Sequence, residues 1–295
     1  MAALSFCPAS AFAQAPPTTP LVLTQPPTAR VTALGGAWVA GRDQDVIFFN
    51  PAQLIGARND FSVSLARFSP EAHGVALTSA YAAGKWSFTL GWGVQAINFE
   101  TAAGAPPPFS QDTLLERGIA DAQTTVATLG AAIQYKSFKI GGAAKYASDR
   151  TADNRHAFLA DVGVARNMLG GTLAFAAQNL GPVTVDDELP AAKLPRQIAY
   201  GWSSARVAGP LDLAFFTQLS HRKDWTSPSA GLEAGYSWIE GYSIAARVGV
   251  RRPETDAEQP FSLGGAFTAD RLTVEYALRM FDDSRRAHVV TIRWR

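Results

Sequence analysis

From Asp60 to the last residue the chain repeats one pattern, a run in which bulky apolar residues alternate with small or polar ones, closed by a turn cluster. A period of two belongs to a strand with two unlike faces, and no helical periodicity competes with it. Runs beginning near Asp60, His73, Trp86, Gln123, Phe138, Asn154, Gly171, Leu194, Pro210, Thr226, Tyr242, Gln259, Arg271 and Arg285 predict an all-β chain of about fourteen strands.

The two faces decide what kind of sheet this is. One carries Trp86, Phe88, Leu90, Trp92 and Val94, then Ile244, Ala246, Val248 and Val250, then Leu272, Val274, Tyr276, Leu278 and Met280. The other carries Ser87, Thr89, Gly91, Gly93 and Gln95, then Ser243, Ala245, Arg247, Gly249 and Arg251, then Thr273, Glu275, Ala277 and Arg279. A soluble barrel or sandwich buries its bulky face and covers the other with Lys and Glu. Neither face here is such a surface, although a large soluble β-sandwich with polar interruptions remains the alternative. A transmembrane antiparallel β-barrel inverts the arrangement, because hydrocarbon cannot hydrate a charge and closure leaves no edge unpaired.

Connection lengths test this independently, since such barrels alternate short periplasmic turns with longer outer loops. The long connections are Thr101 to Ala122, Ser148 to Asp153, Gly181 to Lys193, His221 to Ser227 and Pro253 to Glu258. Between them lie Ala83-Gly84-Lys85, Lys136-Ser137, Asn167 to Gly170, Val207 to Gly209, Glu240-Gly241 and Ala269-Asp270. All long connections then share one side. A bacterial outer-membrane location with both termini periplasmic is the expectation. Trp86, Tyr135, Trp202, Trp238, Tyr242 and Trp294 are placed near strand ends, where amphipathic rings sit at headgroup level; ordinary β-propensity of aromatics explains them equally well.

Ahead of the strands, residues 1–15 read as the end of a secretory signal: an apolar stretch from Ala2 to Ala13, then Ala13-Gln14-Ala15 as a small-x-small cleavage site. The basic start of such a signal is missing, as in a truncated one. The only cysteine, Cys7, falls inside it, so the mature chain has no thiol to oxidise. Residues 16–59 are expected to form a plug segment and residues 60–295 the barrel. A net charge of +1 and mean hydropathy of 0.00 nominate no polyanionic partner, nucleic acid included. No run of eighteen apolar residues offers a helical span; membrane lipid is therefore met by strands.

The stretch Ala29-Arg30-Val31-Thr32-Ala33-Leu34-Gly35-Gly36-Ala37-Trp38-Val39-Ala40, then Asp43, Asp45 and Asn50-Pro51-Ala52-Gln53-Leu54, resembles the opening of the PorV/PorQ family. The likeness continues through Gln178-Asn179-Leu180-Gly181, Leu194-Pro195 with Gly201, Gly231-Leu232-Glu233 with Tyr236, Arg247-Val248-Gly249, and Val274-Glu275-Tyr276 with His288. Position 234 departs from it, with Ala234 where an aromatic is usual. The family is related to FadL-type transporters, which carry an Asn-Pro-Ala motif in an N-terminal plug. Two functions are implied: transport or binding of a hydrophobic ligand, with exit to lipid where a strand Gly or Pro kinks the wall, or, on the PorV side, handling of cargo with type IX secretion-system proteins.

Candidate plug or ligand positions are Gly35, Gly36, Asn50, Pro51, Arg247, Arg251, Glu275 and Arg279. Proline holds Asn50 extended while the asparagine amide bonds nearby backbone, so the motif locks a tight turn; the plainer reading is a loop at a helix start with no ligand contact. Gly35-Gly36 lets backbone approach luminal side chains closely. The luminal charges Lys139, Lys145, Asp161, Glu233, Arg247, Arg251, Glu275, Arg279 and Arg293 mix both signs, which suits salt-bridged packing of wall and plug, or a polar path around the plug. No catalytic constellation is present: Ser220-His221 lacks an orienting acid at defined spacing. Asp186-Asp187-Glu188 reads as a solvated loop rather than a metal site. No enzyme activity, cofactor or metal is expected.

Overall fold

The structure, a computed structural model, describes residues 20–57, 59–69, 72–83, 88–99, 122–150, 155–184, 194–223, 225–254, 258–281 and 285–295. The signal segment with Cys7, Trp86 and Ser87, the turn at Gly84-Lys85, most of the expected 101–122 loop and the acids Asp186 to Glu188 lie outside the described residues.

The strands are β1 (Phe61–Ser69), β2 (Ala72–Ala83), β3 (Phe88–Phe99), β4 (Ala122–Tyr135), β5 (Phe138–Asp149), β6 (Arg155–Met168), β7 (Gly171–Leu180), β8 (Val183–Thr184), β9 (Gln197–Ala208), β10 (Leu211–Arg222), β11 (Trp225–Ile239), β12 (Tyr242–Arg251), β13 (Glu258–Ala269), β14 (Leu272–Phe281) and β15 (Arg286–Trp294). Fourteen long strands pair antiparallel with their neighbours, and β1 closes the ring on β15 from Phe61↔Trp294 to Arg67↔His288. The two-residue β8 stands beside β6, while β7 pairs directly with β9. Closure satisfies every edge, the condition for strands to cross hydrocarbon. The start of β9 is displaced from Leu194 to Gln197, because Pro195 has no amide to give a ladder and its carbonyl accepts instead from Asn179 Nδ2 at 2.9 Å.

Alternation sets the faces as the pattern predicts. Leu90 and Trp92 on β3, Ile244 and Val248 on β12, and Val274 and Tyr276 on β14 point outward, while Thr89, Arg247, Thr273, Glu275 and Arg279 are buried inside. Tyr135, Trp238, Tyr242 and Trp294 do lie at strand ends, and Trp238 packs with Tyr236, Tyr242 and Phe267. Trp202 sits in the middle of β9 against Phe215, with its indole nitrogen beside Gly171 at the start of β7. At the loop end of the wall, the luminal face changes character. Ile97, Val126 and Leu159 point inward there and join an apolar cluster with Val22 and Phe48.

Residues 20–57 run inside the barrel. They form one turn at Leu21–Leu23, the helix α1 (Ala29–Ala33), and 3-10 turns at Gln44–Phe48 and Pro51–Gly56. Helix α1 lies on the β12–β15 wall, and the last turn on β4, β5 and β6. Arg295 ends on the rim of the tight turns, where its amide donates to Arg271. Residues 22–26 instead lie in the loop half, beside Gln95, Arg222 and Arg251. From there α1 and the turns are threaded through the lumen before β1 begins; residues 1–19, and with them the expected periplasmic N-terminus, lie outside the described residues.

Candidate functional site

Helix α1 ends because Gly35 and Gly36 take φ of 66° and 76°, a left-handed pair in which Gly36 N–H donates to Val31 O and Gly35 N–H to Thr32 O. A Cβ at Gly35 would also lie 2.9 Å from the Val250 carbonyl oxygen, so the backbone passes against β12 only as glycine. Ala29 N–H donates to Thr291 Oγ1 at 2.8 Å and Ser262 Oγ to Ala33 O at 3.1 Å, which pins both ends of α1 to the wall.

Beneath α1 the charges of segment and wall interlock. Arg293, almost wholly buried, meets Asp45 at 3.0 Å, Asp43 at 3.2 Å and Glu275 at 3.5 Å, and donates to Gln44 Oε1 at 2.8 Å. Arg30 bridges Asp43 at 3.2 Å to Glu233 at 2.7 Å; Arg247 bridges Glu233 at 2.5 Å to Glu275 at 3.0 Å. Four carboxylates and three guanidinium groups share one dry region, so each charge depends on its neighbours for the solvation that water no longer supplies. Asp45, on the luminal segment, accepts from Thr28 at 2.9 Å and Thr78 at 2.8 Å. Burial and the adjacent Asp43 push its carboxyl up to about 6, against the pull of Arg293.

The Asn50-Pro51 turn is fixed by shape. Asn50 Oδ1 accepts from Ala52 N–H at 3.1 Å, capping the 3-10 turn, and Asn50 Nδ2 donates to Val39 O at 3.0 Å and Phe175 O at 3.3 Å. Pro51 and Ala52 press on Gly141, where a Cβ would come within 2.4 Å of their backbone, and Asn50 fills the space over Gly163. A further buried link is in the wall itself. Strand β7 bulges at Gln178-Asn179, with Asn179 at φ 57°, and Lys145 Nζ lies 2.6 Å from Asp161 and 3.1 Å from Asn179 Oδ1.

Above the segment, in the loop half, lies a cavity of about 80 Å³. Its apolar side is Val22, Leu23, Phe48, Phe49 and Val126; its polar side is made of Gln95, Gln178, Gln197, Gln218, Ser229 and Arg251. Ion pairs rim it: Arg222–Glu254 at 2.5 Å, Arg251–Glu258 at 3.1 Å and Arg279–Glu258 at 2.5 Å.

The candidate positions therefore separate. Arg247 and Glu275 belong to the buried network, Arg251 and Arg279 converge on Glu258 near the cavity, Gly36 lines the cavity, and Gly35, Asn50 and Pro51 seat the segment on the wall. Sequence reasoning did not single out Arg30, Asp43, Asp45 or Glu258 as charge partners, nor Val22, Phe49 and Val126 as cavity wall. One signal was present: Ile97 and Val126 are bulky residues on the small-residue phase of their strands. His221, near the loop end of β10, is exposed and paired with Thr226 at 2.9 Å.

No family model matches the sequence, and no curated protein is similar to it. Solved structures do resemble it. The Pseudomonas putida toluene transporter TodX is 10% identical with a TM-score of 0.52, over 89% of this chain and 95% of that one. A Pseudomonas aeruginosa FadL homologue is 9% identical with a TM-score of 0.50, over 95% of this chain and 98% of that one. A TodX variant described as a monoaromatic hydrocarbon channel is 12% identical with a TM-score of 0.51, over 90% and 96%. At these identities the likeness is one of fold: an outer-membrane barrel similar to those of FadL-type transporters.

Proposed function

We propose that this chain is a non-enzymatic outer-membrane transporter, oriented with its loop rim outward, which binds a hydrophobic small molecule in the loop half of the lumen. The observation that carries this reading is the cavity between Val22, Phe48, Phe49 and Val126 on one side and glutamine amides on the other. A partly enclosed, half-apolar space with a few convergent polar groups is how small ligands are held, and at about 80 Å³ this one has to widen, by displacement of residues 22–26, to admit a whole ligand. Its polar wall suits a ligand with one hydrogen-bonding end. The bulge in β7 supports an exit toward lipid, since pairing of β7 with β9 stops at Gln178↔Gln197 and the Lys145–Asp161 pair spans the adjoining wall. The bulged residue is an asparagine, where a glycine or proline was the expected kink.

The likeness in fold to a toluene transporter and to a FadL homologue lends the transport reading further support. The resemblance of residues 29–54 to the PorV/PorQ opening favours a second reading, in which the loop rim receives secreted proteins. Native mass spectrometry of protein released from outer membranes in mild detergent distinguishes them. A retained apolar compound, and its loss in Val126→Trp, are expected for transport. Secreted or surface proteins bound without such a compound would establish the second reading instead.

A further inference from the structure

The luminal cations are not all treated alike. Arg30, Lys145, Arg222, Arg247, Arg251, Arg279 and Arg293 each face a carboxylate within 3.2 Å. At the mouth on the tight-turn rim the rule fails. An open basin of about 610 Å³ is lined there by Arg42, Lys139, Asn167, Thr172, Ser203 and Arg206, with Met168, alanine and glycine between them, and none of its described lining residues is acidic.

Three separate elements deliver the three cations: the luminal segment, β5 and β9. Among the described residues, Lys139 Nζ has only the Gln53 amide oxygen, at 3.3 Å. Arg42 and Arg206 have no ion pair with any described residue, and the charge of Arg42 bears on Lys139. Glu233, whose charge also reaches Arg42, is already bonded to Arg30 and Arg247. Burial and the neighbouring Arg30 hold the Arg42 guanidinium below its ordinary value. Arg42 and Arg206 are exposed and Lys139 half-buried, and like charges gathered in one concave place repel one another and are stabilised once an anion joins them.

Local structure keeps the place open. The left-handed Gly170, at φ 68°, turns the chain beside the Arg206 guanidinium, and Gly171 adds no side chain to the floor. Thr172 Oγ1 donates to Asn167 Oδ1 at 3.1 Å, which leaves the Asn167 amide hydrogens as donors. The outward-facing Met168 shares the lining with the inward-facing Asn167 and Ser203, so the basin opens both to the lumen and to the lipid boundary.

We infer that this basin is a binding site for a phosphate group, held by Arg42, Lys139 and Arg206 with the Asn167 amide as a further donor. Planar guanidinium forks from two sides suit the oxygens of a phosphate. The size exceeds a bare ion and admits a headgroup, so the phosphate belongs either to a phospholipid of the adjoining leaflet or to a soluble anion at the mouth. This site is separate from the loop-half cavity and does not rest on the transport reading.

The test is calorimetric titration of the full chain in dodecyl maltoside micelles with inorganic phosphate and, separately, with dihexanoyl phosphatidylglycerol below its own micelle concentration. Binding of at least one probe is expected, weakening with salt. Arg42→Gln and Lys139→Gln are each expected to reduce affinity roughly tenfold, the loss of one charge-assisted contact. Lys136→Gln, a cation of the neighbouring turn outside the basin, should leave it unchanged. Binding of both probes marks a soluble-anion site, and binding of the lipid alone marks a headgroup site. If neither probe binds, or if Arg42→Gln and Lys139→Gln bind as the parent does while retaining the folded gel mobility of the barrel, the site does not exist.

Discussion

The β11–β15 wall and the β4–β7 wall hold the same luminal segment by different means. On the first, Arg30, Asp43 and Asp45 mesh with Glu233, Arg247, Glu275 and Arg293, and this electrostatic network adds to a close fit over Gly249 and Gly264. On the second, Asn50, Pro51 and Ala52 sit over Gly141 and Gly163, and it is mainly steric, with hydrogen bonds from the Asn50 and Gln178 amides and from Lys139 to Gln53. Ion pairs in a dry place are individually consequential because removing one partner strands the other. A close fit over glycine fails gradually, through the volume added. The first wall can therefore respond to protonation, and the second responds mainly to displacement.

The largest expected effect breaks the electrostatic side. Arg293→Ala leaves Asp43, Asp45 and Glu275 short of a shared partner and is expected to cost about 3–5 kcal/mol, read as a lower urea midpoint for unfolding in micelles. If it costs less than Gly141→Ala, the division between the walls is misplaced. Gly141→Ala tests the other wall. Its Cβ meets backbone rather than a movable side chain, so a loss of about 1–3 kcal/mol is expected, with increased proteolysis near residue 50. Asn50→Ala should follow at about 0.5–2 kcal/mol, the range for a lost turn cap, and Asn50→Asp should recover the cap to Ala52 but not the donations to Val39 and Phe175.

The smallest effect sharpens the contrast. Since the Asp45 carboxyl is raised to about 6 in the fold, the folded chain binds the proton more readily than the unfolded one. Stability from this group then rises as pH falls through 6 and levels off below the ordinary carboxylate range. Hydrogen exchange of residues 29–34 should slow between pH 7 and pH 5 after correction for the intrinsic rate, and Asp45→Asn should abolish that change. An unchanged slope in Asp45→Asn assigns the proton elsewhere.

Much of this was readable beforehand for a physical reason. Strand phase is local: Leu272 to Met280 announce one face and Thr273 to Arg279 the other, whatever they pair with. Turns such as Lys136-Ser137 and Glu240-Gly241 are equally local. The mixed signs of Arg247, Glu275 and Arg293 also pointed to packing between wall and segment. Their partners were not readable. Asp45 is 248 residues from Arg293 along the chain, and nothing in either neighbourhood specifies the other. The bulge at Asn179 was hidden for the same reason, since a register shift exists only between two strands.

Taken alone, the sequence determined the number of strands, the face each presents to lipid and the alternation of turns with loops, because alternation with period two and turn chemistry act over a few residues. Only the tertiary structure decided where the segment lies, which charges share a dry space, and which cations at the tight-turn mouth are left without an acid. Closure of the ring sets those distances, and no stretch of chain contains them.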